Sequence, residues 1–149
     1  MGGSGSGRRP SYCGKAETAD ATPLDIRKLA RQGLLVVGRG FSWQWTVNDR
    51  VVASISIRVE SQGLVLSYQR MRTGEEITQR VSTQTTPCRL GGHRIWFTCP
   101  YCSRRVAVLY GEGKYFSCRH CYGLRYASQK EGHGDRATRR ADRIRRRLG

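Results

Sequence analysis

Cys99-Pro100-Tyr101-Cys102 and Cys118-Arg119-His120-Cys121 are two C-x2-C pairs separated by residues 103–117. This spacing reads as a metal site. Two sulfurs three residues apart on a tight turn grip one side of a tetrahedral ion. A second such turn closes the other side, with Zn–S bonds of about 2.3 Å. Four thiolates complete the ligand set and leave no position open for water, so the expected ion is one structural Zn2+ per chain, held by Cys99, Cys102, Cys118 and Cys121. Iron in the same cage is the alternative, because thiolate sites do not choose their metal by affinity alone.

Working outward, Val106 to Tyr110 is rich in β-branched and aromatic residues, Gly111-Glu112-Gly113 is a turn signal, and Lys114-Tyr115-Phe116 reads as a returning strand. Ligands would then sit in the first and last turns of a small hairpin. Over residues 93–126 this arrangement resembles the zinc-ribbon family. Such knuckles often place Gly directly after the second cysteine, whereas here Ser103 follows Cys102, and Tyr122 then Gly123 follow Cys121. The competing reading of the cysteines is a disulfide framework. The first 30 residues contain no apolar run of signal-peptide type, and a C-x2-C disulfide would close a small, strained loop. Cys13, in a polar stretch, reads as a loose thiol and Cys88 as a small packed residue.

Upstream, residues 41–85 read as an antiparallel meander. Trp43, Trp45 and Val47 alternate with polar residues, then Val51, Ala53, Ile55, Ile57 and Val59 alternate with Val52, Ser54, Ser56, Arg58 and Glu60. This period of two indicates strands with one covered face. Turns are expected at Asn48-Asp49, Gln62-Gly63 and Thr73-Gly74, and Trp43 and Trp45 read as core. Thr22-Pro23-Leu24-Asp25 reads as a helix start, with Thr22 as N-cap and Pro23 at the first helical position, and Gly33 as its stop; this helix over 23–32 is the expected cover of the sheet's apolar face. The expected fold is therefore mainly β: a Gly/Ser/Arg tail over 1–21, a short N-terminal helix plus sheet over 22–85, a four-cysteine ribbon over 86–131 opened by a Gly91-Gly92 break, and a basic amphipathic helix over 132–149. In that last helix Ala137, Ala141, Ile144 and Leu148 form one stripe among arginines.

Charge points to the partner. The 27 basic and 11 acidic residues give a formal +16. Residues 86–149 carry 15 basic against 4 acidic groups, and 23 of the 27 basic residues are Arg. A field of this kind attracts polyanions, and the guanidinium fork suits phosphate. Eight of the 13 aromatics fall between residues 93 and 126, interleaved with Arg94, Arg104, Arg105, Arg119 and Arg125. Such interleaving suits either base stacking with phosphate contact or packing of Arg stems over rings. Arg136, Arg139, Arg140, Arg143, Arg146 and Arg147 add candidate backbone contacts. The eleven acids are scattered and His93, His120 and His133 make no catalytic motif, so the chain reads as non-enzymatic, without a small-molecule substrate. No apolar run is long enough to span a bilayer.

The stretches MGGSGSGRRP, SWQW, GGHRIWFTCPYCSRRVAVLY and CRHCYGLRYASQ, with the basic end, are similar to a set of small bacterial zinc-ribbon proteins of mobile or phage-like regions. That resemblance implies a cytoplasmic bacterial protein. The expected function is nucleic-acid binding, to DNA or RNA; the other expectation is a protein–protein adaptor or inhibitor that docks on an acidic face of a polymerase or host defence complex.

Overall fold

The computed structural model describes residues 16–70, 73–126, 138 and 140–145. Its elements are β1 (Pro23–Asp25), α1 (Ile26–Arg31), β2 (Gly40–Val47), β3 (Arg50–Glu60), β4 (Gly63–Gln69), β5 (Glu76–Pro87), β6 (His93–Thr98), β7 (Arg105–Val106) and β8 (Val108–Tyr110). Strands β2 to β7 form one antiparallel sheet of six in sequence order, and β1 pairs with β8. The fold is mainly β, as the period-two pattern implies.

The sheet follows the turn chemistry. Asn48 and Asp49 take left-handed backbone angles (φ 49° and 61°), the conformation that turns β2 into β3 without splaying a twisted pair. Gly63 opens β4 so close to β5 that a Cβ there would overlap the Val81 carbonyl oxygen. Ile55, Ile57, Val59, Leu64, Leu66 and Val81 face inward. The same core takes in Leu24, Ile26 and Leu29 from β1 and α1, and Phe97, Cys99, Leu109, Phe116 and Cys118 from the cysteine-bearing half. Trp43 and Trp45 are partly buried against it.

Four expectations need correction. First, residues 23–25 are a strand rather than a helix start. Leu24 is fully buried opposite Leu109, and that pairing outweighs a local helix signal. Asp25 is the N-cap instead, accepting from the Arg27 N–H at 2.9 Å, and Gly33 (φ 66°) follows the C-cap. Second, the helix alone does not cover the sheet: α1 packs on β6, and residues 108–118 share the cover. Third, Gly91-Gly92 does not break the sheet. It belongs to the hairpin joining β5 to β6, and β5 runs on to Pro87, across the boundary expected at residue 86. Cys88 is exposed in that hairpin, not packed.

The fourth concerns Lys114–Phe116, which form no strand; only Ser117 bridges back to Tyr110. The reason lies in side chains of the sheet. The buried Gln79 amide donates to the Phe116 carbonyl at 2.8 Å and accepts from the Phe116 N–H at 2.7 Å. One side chain thus supplies both bonds that a neighbouring strand would give. Tyr68 donates to the Lys114 carbonyl at 2.7 Å, and Lys114 pairs with Glu75 at 2.6 Å. Tyr122 donates to the Tyr115 carbonyl and accepts from Gly113 N–H. The Lys114, Tyr115 and Phe116 carbonyls and the Phe116 N–H are thereby satisfied without a ladder.

Gln79→Leu is expected to orphan two buried backbone groups, at about 1–3 kcal/mol each. Thermal unfolding should show a midpoint lower by roughly 5 °C or more for a chain of this size. Gln79→Glu replaces the donor facing the Phe116 carbonyl by a carboxylate oxygen. Its acid form alone restores that bond, so the folded-state pKa is raised. The variant should gain stability as pH falls and lose it as pH rises through that value, which unfolding curves at several pH values will read.

Candidate metal centre

Strand β6 delivers Cys99, and β7 carries the chain back. Between them the Cys99 N–H donates to the Arg104 carbonyl and the Ser103 N–H to the Cys99 carbonyl, both at 2.9 Å, closing the first knuckle. The second follows the Tyr110–Ser117 bridge: Tyr122 N–H donates to the Cys118 carbonyl at 3.3 Å and Leu124 N–H to the Arg119 carbonyl at 2.9 Å. Both knuckles need one left-handed residue. Gly123 supplies it in the second (φ 64°), Ser103 in the first (φ 57°). A side chain in this conformation costs about 1–2 kcal/mol.

The four sulfurs all lie within 4.8 Å of one another. Cys99 Sγ is 3.8 Å from Cys121 Sγ, Cys102 Sγ is 3.6 Å from Cys118 Sγ, and Cys118 Sγ is 3.5 Å from Cys121 Sγ. A tetrahedron with bonds of about 2.3 Å has edges of about 3.8 Å. These three separations are therefore close to the edges of a tetrathiolate cage, and they are far beyond the roughly 2.03–2.05 Å of an S–S bond. The four cysteines could hold one metal ion. Cys99 and Cys118 are 1% exposed, whereas Cys102 and Cys121 face solvent. His120, inside the second knuckle, is exposed and outside the cluster.

The electrostatics of the cage are uneven. Burial works against a charge on Cys99, but the N–H groups of Cys102, Cys118 and Tyr101 directed at its sulfur prevail and bring its pKa down to about 7. The Cys118 N–H lies 3.4 Å from that sulfur. Burial pushes the Cys118 and Cys121 thiols up, and for Cys121 the neighbouring thiols add to the rise. Crowded sulfurs need a cation before all four can be anionic together, which is the logic of a thiolate metal site. No family model, curated protein or solved structure matches the chain.

The predicted arginines fall into three groups. Arg94 and Arg105 bracket Trp96, with guanidinium carbons 4.4 and 5.6 Å from its ring centroid. Near the knuckles, Arg119 lies 4.8 Å from the Tyr126 ring centroid, Arg104 is exposed beside Cys102, and Arg125 is exposed with its backbone bonded to residues 16 and 18. Of the basic C-terminal segment, residues 138 and 140–145 are helical and exposed, among them Arg140 and Arg143. Arg136, Arg139, Arg146 and Arg147 lie outside the described residues, as do Cys13, His133 and the Gly/Ser tail. Arginines and rings do meet, as cation–π pairs. The structure also adds residues that spacing could not offer: Gln79, Tyr68 and Tyr122 brace the segment between the cysteine pairs. Gln79 had a visible signal, a polar residue at an inward position between Ile77 and Val81.

Ser103→Gly relieves the left-handed strain in the first knuckle. The variant should gain about 1 kcal/mol, which raises the melting midpoint by roughly 2–4 °C.

Proposed function

We propose that this chain is a non-enzymatic, zinc-ribbon nucleic-acid-binding protein. One structural Zn2+, bound by Cys99, Cys102, Cys118 and Cys121, would fix the two knuckles, and the surrounding arginines and aromatic rings would contact phosphates and bases of DNA or RNA. The observation that carries the metal half is the set of sulfur separations matching a tetrahedral cage with no open position. That arrangement suits an ion that braces structure rather than one that activates water. The nucleic-acid half is supported by the +16 formal charge, by its concentration in Arg, and by cation–π pairs that hold guanidinium groups in place at Trp96 and Tyr126.

One observation favours the adaptor reading. Among the described residues β2 is an edge strand of eight residues without a charge, next to exposed Val47, Val51 and Val52. Natural sheets usually guard such edges with charge or proline, and an unguarded edge is a template for another strand. A protein partner that stays bound at high salt, with no affinity for oligonucleotides, would favour this second reading.

Elemental analysis of protein purified without added metal should find one zinc per chain, and Cys99→Ser or Cys118→Ser should remove it with loss of the folded state. Finding iron instead would change the ion but keep the cage; finding no transition metal would defeat the reading. Six to ten phosphate contacts predict that affinity for nucleic acid falls by about 10³ to 10⁵ between 50 and 200 mM salt. A fall of less than tenfold would defeat its electrostatic half.

A further inference from the structure

The inner face of the six-stranded sheet packs against the core, and α1 and residues 108–118 lie on that side. The outer face has a definite composition. Ser42, Ser56, Ser67 and Thr78 lie opposite one another across β2, β3, β4 and β5, a row of hydroxyls four strands wide. The next row places exposed Arg58 and Arg80 on either side of Val65, which is buried between them. Farther along, Gln84 is opposite Trp96 and Thr86 opposite Arg94, and Arg105 on β7 is opposite Thr98. The face thus carries arginine on each of β3, β5, β6 and β7. Its two acids stand at opposite ends of the strands: Glu60, 3.6 Å from Arg58, and Glu76 beside Gln69. Among the described residues, Arg80, Arg94 and Arg105 have no carboxylate partner.

Trp96 is the ring of this face. Its indole N–H is occupied by the Thr86 hydroxyl at 2.9 Å, and Gln84 donates to the Thr98 hydroxyl at 2.8 Å, so the ring and its neighbours are fixed in place. Arg94 and Arg105 are held against that ring rather than free in solvent. A π surface with cations already in place, beside rows of hydroxyl donors, offers stacking and phosphate contact together with little ordering cost.

Resting on the nucleic-acid reading, we infer that the outer sheet face is the binding platform, and that it takes single-stranded nucleic acid with bases stacked at the Arg94–Trp96–Arg105 group and phosphates along Arg80 and Arg58. Geometry selects the single strand. At the level of Thr78 four strands at about 4.8 Å spacing lie abreast, a face about 14 Å across, and β6 and β7 extend it along the other half of β5. The major groove of duplex DNA is about 12 Å wide and admits a helix or a two-stranded ribbon, not this sheet. Bases in a single strand are free to lie on a ring; bases in a duplex are not.

Tryptophan fluorescence tests this, because Trp43 and Trp45 pack on the opposite, inner side and serve as internal references. Oligothymidine should quench the emission of the full chain, the duplex of equal length should not, and Trp96→Phe should abolish the quenching. Trp96→Ala should weaken binding about 5- to 100-fold. Arg58→Ala/Arg80→Ala should lower the slope of log affinity against log salt by about 1.4, roughly 0.7 for each single-strand phosphate no longer neutralised. Arg80→Glu, at an exposed position, gives a second test if the double variant does not fold, and should weaken binding at least tenfold. If oligothymidine binds but Trp96→Phe quenches as the parent does and the Arg80→Glu affinity is unchanged, the platform lies elsewhere and this inference falls while the nucleic-acid reading stands. Preference for duplex overturns the single-strand assignment. If no oligonucleotide binds the parent chain, both fall.

Discussion

Convergence of four sulfurs on one point is the constraint around which the second half of the chain is arranged. Cys99 and Cys118 are core residues as well as candidate ligands: both belong to the cluster that contains Phe97, Leu109 and Phe116. Their position requires β6 to end where it does, requires a left-handed residue in each knuckle, and requires the 103–117 segment to return over the sheet. A tetrathiolate cage without a cation would set like charges against each other in a partly dry site, which favours neutral thiols until an ion arrives. If the cage holds an ion, folding and ion binding in this half become one linked equilibrium, as in small metal-braced units.

The rest of the sheet is not a passive neighbour of that centre. β5 is the shared beam: one half pairs with β4, the other with β6. From the same strand Gln79 reaches across to Phe116, two residues before Cys118. Trp45 donates its indole N–H to the Pro23 carbonyl at 2.7 Å and its ring lies 6.1 Å from that of Phe116. Sheet, short helix and knuckles therefore share a single core, and the cysteine half draws stability from apolar burial whether or not an ion is bound.

Much of this was legible in the sequence, for identifiable reasons. Metal-ligand spacing is local, so Cys99, Cys102, Cys118 and Cys121 could be grouped without a fold. Strands β2 to β5 were legible because residues 41–81 alternate with a period of two and their turns carry Asn-Asp and Gly. What could not be read is long-range pairing. Leu24 opposite Leu109 makes a strand of a stretch whose local chemistry favours a helix start. Phe116 finds its partner in a side chain 37 positions away, which no periodicity encodes. The outer-face arginines are likewise separated in sequence by up to 47 positions, from Arg58 to Arg105, and only strand register brings them to one surface.

The small bridge between Glu17 and Arg125 has a consequence for the ends of the body. Thr18 N–H donates to the Arg125 carbonyl at 3.0 Å and Arg125 N–H to the Ala16 carbonyl at 3.2 Å, so Ala16 and Tyr126 leave the body at the same corner. The stretch before this corner carries Arg8, Arg9 and Lys15, and the stretch after it carries eight basic against three acidic residues. Backbone hydrogen bonds at this corner tie the first described residues to the last of the cysteine-bearing half, so strain at one end of the body is felt at the other.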